Sequence, residues 1–225
     1  MTDQTCILLF VKAPEKGQVK TRLAADIGGD SALRLYECLV LDSVEILKRS
    51  GIPFRICYSP PEALDKLQNW LGRDIVFLPQ SGADVGERME RAFIHLFQEG
   101  MQRVIIIGSD ILGLCNEMLE HALHELDSHD TIIGPALDGG YYLIGFTEKG
   151  FERAVFQNMT WSTDTVFEET MRRLAKSGHK VSVLPQLRDI DRKEDMEEFL
   201  ECSCRQDEIP RTMAFLLDEM RAGLS

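Results

Sequence analysis

The sequence predicts an α/β fold, a mostly parallel sheet with helices packed on both faces. Three observations carry that reading. Short, nearly continuous apolar runs recur along the chain, as strands buried on both faces require. Segments of helical length with 3.6-residue apolar spacing separate them. No internal repeat, low-complexity stretch or linker rich in Gly, Pro or Ser interrupts the alternation, so residues 1–225 read as one domain.

The elements follow in order. "TCILLFVK" (5–12) is the first strand. After an opening loop, Asp30 is placed to cap a long helix whose apolar positions are Leu33, Tyr36, Leu39, Val40, Val44 and Leu47, with Gly51 as its stop. "PFRICYS" (53–59) is the second strand, and "SPPEALDKLQNWL" is a helix with proline in its first turn. "DIVFLPQ" (74–80) precedes a polar loop and a helix from Gly86 to Glu99. "RVIIIGSD" (103–110) is the strongest strand signal in the chain. "LCNEMLEHALHEL" is helical, "DTIIGPA" (130–136) and "YYLIGF" (141–146) are extended, and "STDTVFEETMRRLAKSG" is a helix opened by Ser162 or Thr163. "HKVSVLPQLRDID" returns to extended structure, and two acidic helices close the chain.

Apolar residues make up 44% and charged residues 28%, enough for a core that needs neither metal nor disulfide staples. Asp and Glu outnumber Lys and Arg 37 to 25, a net charge of −12. Such a balance disfavours nucleic acid and anionic membranes, whose phosphates demand basic residues. A small anion would need a local basic cluster or a bridging cation. Cys6, Cys38, Cys57 and Cys115 sit in apolar contexts, and Cys202-Ser203-Cys204 has neither zinc-knuckle nor redox spacing. His121 and His124 share a helix face, which is too few ligands for a metal. A signal peptide and an apolar run long enough to span a membrane are both missing from the reading, so a reducing cytoplasm is the expected compartment.

In an open sheet of this kind ligands bind beyond the carboxyl ends of the strands. Chemistry is therefore expected at 13–22, 80–88, 108–112, 136–142 and 189–191. The loop "APEKGQVKTR" matches neither a Walker loop nor a dinucleotide fingerprint. It offers Pro14, a glycine at 17, Lys20 as a point charge and Arg22 as a fork, a set suited to a di- or triphosphate. A solvated basic turn explains the same residues. Asp110, after Ser109, either caps the next helix or serves a ligand. Asp189 and Asp191 supply further carboxylates, and Mg²⁺ typically takes one or two of these beside phosphate and water. Asp138 with Gly139, Gly140 and Tyr141 is either a ligand-approach loop or a plain turn. Gln80, Gly86, Glu87 and Arg88 fit a nucleobase contact or an ordinary helix start. No G-x-S-x-G element supports a serine hydrolase.

Six segments, "VKAPEKGQVKTRLA", "LPQSGADVGERMERAF", "IIIGSD", "GPALDGGYYLIG", "WSTDTVFEET" and "DIDRKEDM", occur in an order that resembles a family of small bacterial glycosyltransferase-like proteins. That family belongs to the nucleotide-diphospho-sugar transferase superfamily and is similar to 2-phospholactate guanylyltransferase. The resemblance runs from about residue 5 to residue 200. It implies a three-layer α/β/α sandwich of the glycosyltransferase A type with a mixed central sheet. It also implies nucleotide phosphates held by Lys20 and Arg22, Mg²⁺ or Mn²⁺ held by Asp110 and Asp191, and an acceptor-side loop around Asp138 and Gly139-Gly140. The activity implied is transfer from a nucleotide sugar to a small-molecule acceptor. The alternative is nucleotidyl transfer from a nucleoside triphosphate to a phosphorylated small molecule, and the third reading is a nucleotide-binding protein without chemistry. One departure stands out: where relatives continue Gly-Ser-Asp with Ser-Pro and a polar residue, this chain has Ile111-Leu112-Gly113, so the Asp-x-Asp pattern is incomplete.

Overall fold

The computed structural model describes residues 4–201 and 209–222. The Cys202-Ser203-Cys204 pair lies outside the described residues. Seven strands form one sheet: β1 (Thr5–Lys12), β2 (Phe54–Ser59), β3 (Val76–Pro79), β4 (Arg103–Gly108), β5 (Thr131–Pro135), β6 (Tyr141–Thr147) and β7 (Val181–Val183). Their order is β3-β2-β1-β4-β6-β5-β7. All pairings are parallel except those of β6, which runs antiparallel to both neighbours. The sheet is mixed, as expected.

Two-residue periodicity splits β1 between two cores. Ile7, Leu9 and Val11 face one layer of helices, and Cys6 and Leu8 face the other. The first layer holds α1 (Thr21–Ile27), α2 (Gly29–Ser50), α3 (Leu64–Leu71), α5 (Asn116–Glu125), α7 (Lys193–Glu201) and α8 (Pro210–Ala222). The second holds α4 (Val85–Gln98) and α6 (Val166–Lys176), around a cluster of Phe93, Phe146, Phe151 and Phe156. Three layers result. Asp42, buried on α2, accepts from the backbone N–H of Thr212 at 2.8 Å and so ties down the start of α8. Its charge is matched there by the orphan N–H groups of a helix N-terminus and by Arg211.

Local chemistry explains the boundaries. Asp84 caps α4 by accepting from Glu87 N at 2.8 Å, while Glu87 accepts in return from Ala83 N at 2.7 Å. Gly51 ends α2 in the left-handed conformation, φ 67°. Three expectations need correction. Gly28, not Asp30, precedes α2; Asp30 lies in the first turn and pairs with Lys16 at 2.8 Å. The opening loop contains a helix of its own, α1. Neither Ser162 nor Thr163 opens α6, which starts at Val166, because Ser162 takes φ 62° and holds the chain away from helical geometry.

Candidate active site

At the carboxyl edge of the central strands, β1 delivers Lys12, β4 delivers Gly108, Ser109 and Asp110, and the loop after β1 returns over them to Lys20. A cleft of about 490 Å³ opens there, lined also by Gln18, Arg22, Tyr36, Gln80, Arg88, Ser162 and Asp191. Asp110 and Asp191 meet because residues 187–191 run beside residues 110–112. Ile111 bridges Asp189, and Leu112 N donates to Arg188 O at 3.2 Å.

The ammonium of Lys20 lies between the two acids, 3.1 Å from Asp110 Oδ2 and 3.4 Å from Asp191 Oδ1. Its side chain is 3% exposed, against 46% for Asp110 and 32% for Asp191. Burial alone would push the lysine pKa down, but the paired carboxylates outweigh it and hold the pKa up. The same charge holds the Asp110 carboxyl below its ordinary value against the opposing effect of burial. Asp189 behaves oppositely: burial and the neighbouring charge of Asp138 push its carboxyl up to about 6. Arg22, on the first turn of α1, reaches Asp191 Oδ2 at 3.1 Å from the solvent side.

Two non-glycine residues lining this cleft, Lys20 (φ 47°) and Ser162 (φ 62°), occupy the left-handed region. Strain of that kind costs on the order of 1–3 kcal/mol and tends to persist at ligand sites. Tyr36 sits in the core of α2, as its spacing predicts, and also braces the loop. Its hydroxyl accepts from Lys12 N and donates to Lys12 O, each at 2.9 Å.

The structure thus gathers Lys20, Arg22, Gln80, Arg88, Ser109, Asp110 and Asp191 around one cleft. Asp138, Gly140 and Tyr141 line a second, adjoining chamber of about 220 Å³. Four candidates line neither space. The Pro14 carbonyl accepts from Lys66 at 2.8 Å, and Gly17 forms an open turn at φ 80°. Gly86 leaves room for the Trp161 indole, whose ring would overlap any Cβ there. Gly139 packs its backbone on that of Asp164, and its carbonyl accepts from Phe167 N at 2.9 Å. Gln80 is partly committed as well, its amide donating to Cys57 O at 2.8 Å. Lys12, Tyr36, Trp161 and Ser162 line the two spaces without having been assigned there. Trp161, alone with Trp70 in the chain and set inside "WSTDTV", was the one that the sequence could have flagged.

Asp110 and Asp191 supply two hard carboxylate oxygens close to one point, a donor set that suits Mg²⁺ or Mn²⁺ with phosphate and water completing the shell. Among the described residues no group of three or more His, Cys, Asp or Glu side chains could hold a metal ion alone. Lys20 occupies the point between the two acids, so a cation bound there would free its ammonium for a phosphate.

A family model described as an uncharacterized protein conserved in bacteria (DUF2064) matches residues 41–163. A crystal structure from Desulfovibrio desulfuricans G20, named as a candidate nucleotide-diphospho-sugar transferase, is 36% identical. It superposes with a TM-score of 0.92 over 98% of this chain and 96% of that one. The inositol-1-phosphate CTP transferase from T. maritima shares the fold at 14% identity and a TM-score of 0.55, over 94% and 97% of the two chains. The 4-diphosphocytidyl-2C-methyl-D-erythritol synthase from Anaerococcus prevotii does so at 13% identity and 0.55, over 88% and 100%. No curated protein matches. The architecture is the nucleotide-diphospho-sugar transferase fold. Among the described residues no helix is long and apolar enough to cross a membrane.

Proposed function

The chain belongs to the DUF2064 family of bacterial proteins, and from that premise we propose that it is a metal-dependent transferase acting on a nucleotide-activated substrate, with a nucleotide-diphospho-sugar as its donor. One observation carries the reading: a buried lysine ammonium between the carboxylates of Asp110 and Asp191, in a cleft that also collects Lys12, Arg22 and Arg88. In a chain of net charge −12, four basic groups around one cleft make a place for phosphates. The D. desulfuricans protein's name adds support from the comparison side.

A divalent cation held by Asp110 and Asp191 would neutralise the donor's diphosphate and stabilise charge growing on the leaving oxygen. The incomplete Asp-x-Asp pattern does not count against this. Leu112, where a second acid would stand, is 2% exposed and packed in the core, and Asp191 supplies the second carboxylate from another segment. Arg22 and Arg88 would orient the diphosphate, and Lys20 would meet it from below. In the transfer, the acceptor's hydroxyl oxygen bonds to the anomeric carbon. The bond from that carbon to the diphosphate breaks, its electron pair leaving on the phosphate oxygen. The hydroxyl proton passes to a carboxylate of the site.

The number of basic groups favours one second reading, nucleotidyl transfer from a triphosphate to a phosphorylated acceptor with release of pyrophosphate, as in a guanylyltransferase. Thermal unfolding with Mg²⁺ or Mn²⁺ and a panel of nucleotide sugars and triphosphates separates them. A ligand at a hundred times its dissociation constant adds about 2.7 kcal/mol, a rise of roughly 5–10 °C for a chain of this length. A metal-dependent rise with nucleotide sugars is expected. A rise with one triphosphate alone favours nucleotidyl transfer, and no rise with any of them removes both readings.

A further inference from the structure

Among the described residues that line the basic cleft, Asp110 and Asp191 are the acids, and Lys12, Lys20, Arg22 and Arg88 are the bases, four against two. Both acids are already engaged. The Lys20 ammonium reaches Asp110 Oδ2 at 3.1 Å and Asp191 Oδ1 at 3.4 Å, and Arg22 reaches Asp191 Oδ2 at 3.1 Å. A divalent cation arriving alone must displace an ammonium whose side chain is 3% exposed. It also adds two charges to walls that carry an excess of the same sign. The displaced ammonium would be left among Lys12, Arg22 and Arg88, since Asp189 does not line the cleft. A diphosphate arriving alone meets the mirror problem, for the two carboxylates hold the lysine and repel the phosphate.

We propose that Lys20 is the resident counter-ion of this site, keeping out a lone divalent cation and admitting it only together with a diphosphate. The proposal rests on the transferase reading and adds to it the order in which the site is filled. Charge and reach both support it. When the two arrive together, the cation takes the place between the acids and the ammonium exchanges carboxylate oxygens for phosphate oxygens. No charge is then left buried and unpaired, which is the costly outcome in either single binding event. The movement is confined to one side chain. The Lys20 backbone sits at φ 47°, and its carbonyl accepts from Ala24 N at 2.9 Å at the start of α1. The loop therefore stays in place while the flexible four-carbon stem re-aims its donors. Such coupling is reciprocal: each ligand raises the affinity of the other by the same factor.

The test is calorimetric titration of the full chain with Mn²⁺ alone, inorganic pyrophosphate alone and the premixed Mn²⁺–pyrophosphate complex. Wild type is expected to bind the premixed complex at least about tenfold more tightly than either part. Lys20→Met is expected to bind Mn²⁺ alone at least about tenfold more tightly than wild type does, because two carboxylates then face each other without a cation. Binding of Mn²⁺ to the variant no tighter than to wild type overturns the proposal. A second readout keeps Lys20 in place: reductive methylation with formaldehyde and cyanoborohydride, followed by mass spectrometry. The Lys20 amine is expected to react slowly in the free chain and faster at Mn²⁺ concentrations that the calorimetry shows to fill the site. An unchanged rate there overturns the proposal as well. If Mn²⁺ binds wild type and Lys20→Met equally, and Asp110→Asn more weakly, the metal site stands and the gating by Lys20 fails. If neither Mn²⁺ nor the premixed complex binds either chain, the metal-dependent reading fails and takes the proposal with it.

Discussion

Lys20 and Asp110 lie 90 residues apart in sequence and 3.1 Å apart in space, and the lysine side chain is almost wholly buried by the contact. Removing the ammonium leaves Asp110 and Asp191 facing each other. Lys20→Met, which keeps the stem and the backbone geometry, is expected to lose about 2 kcal/mol at neutral pH. A fully buried pair broken on one side loses roughly 3–5 kcal/mol, and the partial exposure of Asp110 discounts that figure. The sign with pH follows from the shifts. Asp110 has a depressed folded pKa, so its contribution is present above the unfolded carboxylate value and is lost as pH falls through the folded one. The gap between wild type and Lys20→Met should therefore close in acid. Denaturant unfolding at pH 7 and below pH 4 measures it.

Arg22 gives the contrasting case. Its side chain is 61% exposed and its ion pair with Asp191 faces water, a class worth about 0–1 kcal/mol. Arg22→Ala should unfold within about 1 kcal/mol of wild type and yet bind nucleotide sugar with Mg²⁺ at least about tenfold more weakly, because a fork to the diphosphate is lost. Calorimetric titration beside thermal unfolding separates the two. Unchanged affinity would remove Arg22 from the phosphate site.

How far the site was legible depended on what each residue answers to. Apolar runs such as "RVIIIGSD" report a strand through composition, and a strand's carboxyl end is a place, so Lys20, Asp110 and Asp191 could be put near one edge. That they meet around one ammonium could not be read, because it depends on residues 187–191 lying beside residues 110–112. Nor could the insertion of β6 between β4 and β5, which is a matter of pairing rather than pattern. The glycines are ambiguous for a physical reason. Freedom from a Cβ serves a ligand and a neighbouring side chain equally well, and at Gly86 the neighbour is Trp161. Helix α1 hid because its seven residues follow a left-handed Lys20 with no side-chain cap to announce them.

Asp189 predicts a pH effect of the opposite sign to that of Asp110. Its folded carboxyl keeps its proton up to about 6 because of burial and the charge of Asp138, while the unfolded chain releases it near pH 4. Between those values the native state binds more protons, so stability from this group is present below about pH 4 and falls as pH rises through 6. In metal-free buffer Asp189→Asn should be more stable than wild type at pH 7.5, by on the order of 1–2 kcal/mol, and equal to it below pH 4. Equal stability at both would mean that water solvates the charge.

Two glycine substitutions test the packing that separates the chamber from its surroundings, and they should differ in a way the geometry dictates. At Gly86 an added methyl meets the Trp161 indole, a side chain that can tilt. Overpacking of that kind costs about 1–3 kcal/mol, and the movement should shift the tryptophan emission. At Gly139 the obstacle is the backbone of Asp164, and φ is 87°, a conformation that alanine adopts only with strain. Relief there would require residues 138–140 and 161–167 to part, breaking the bond from Phe167 N to Gly139 O. Gly139→Ala should therefore be the costlier by about 1–2 kcal/mol, the strain of a left-handed alanine. Urea unfolding of both variants decides it. If Gly86→Ala proves the more damaging, Trp161 rather than the 138–140 turn holds this wall of the chamber together.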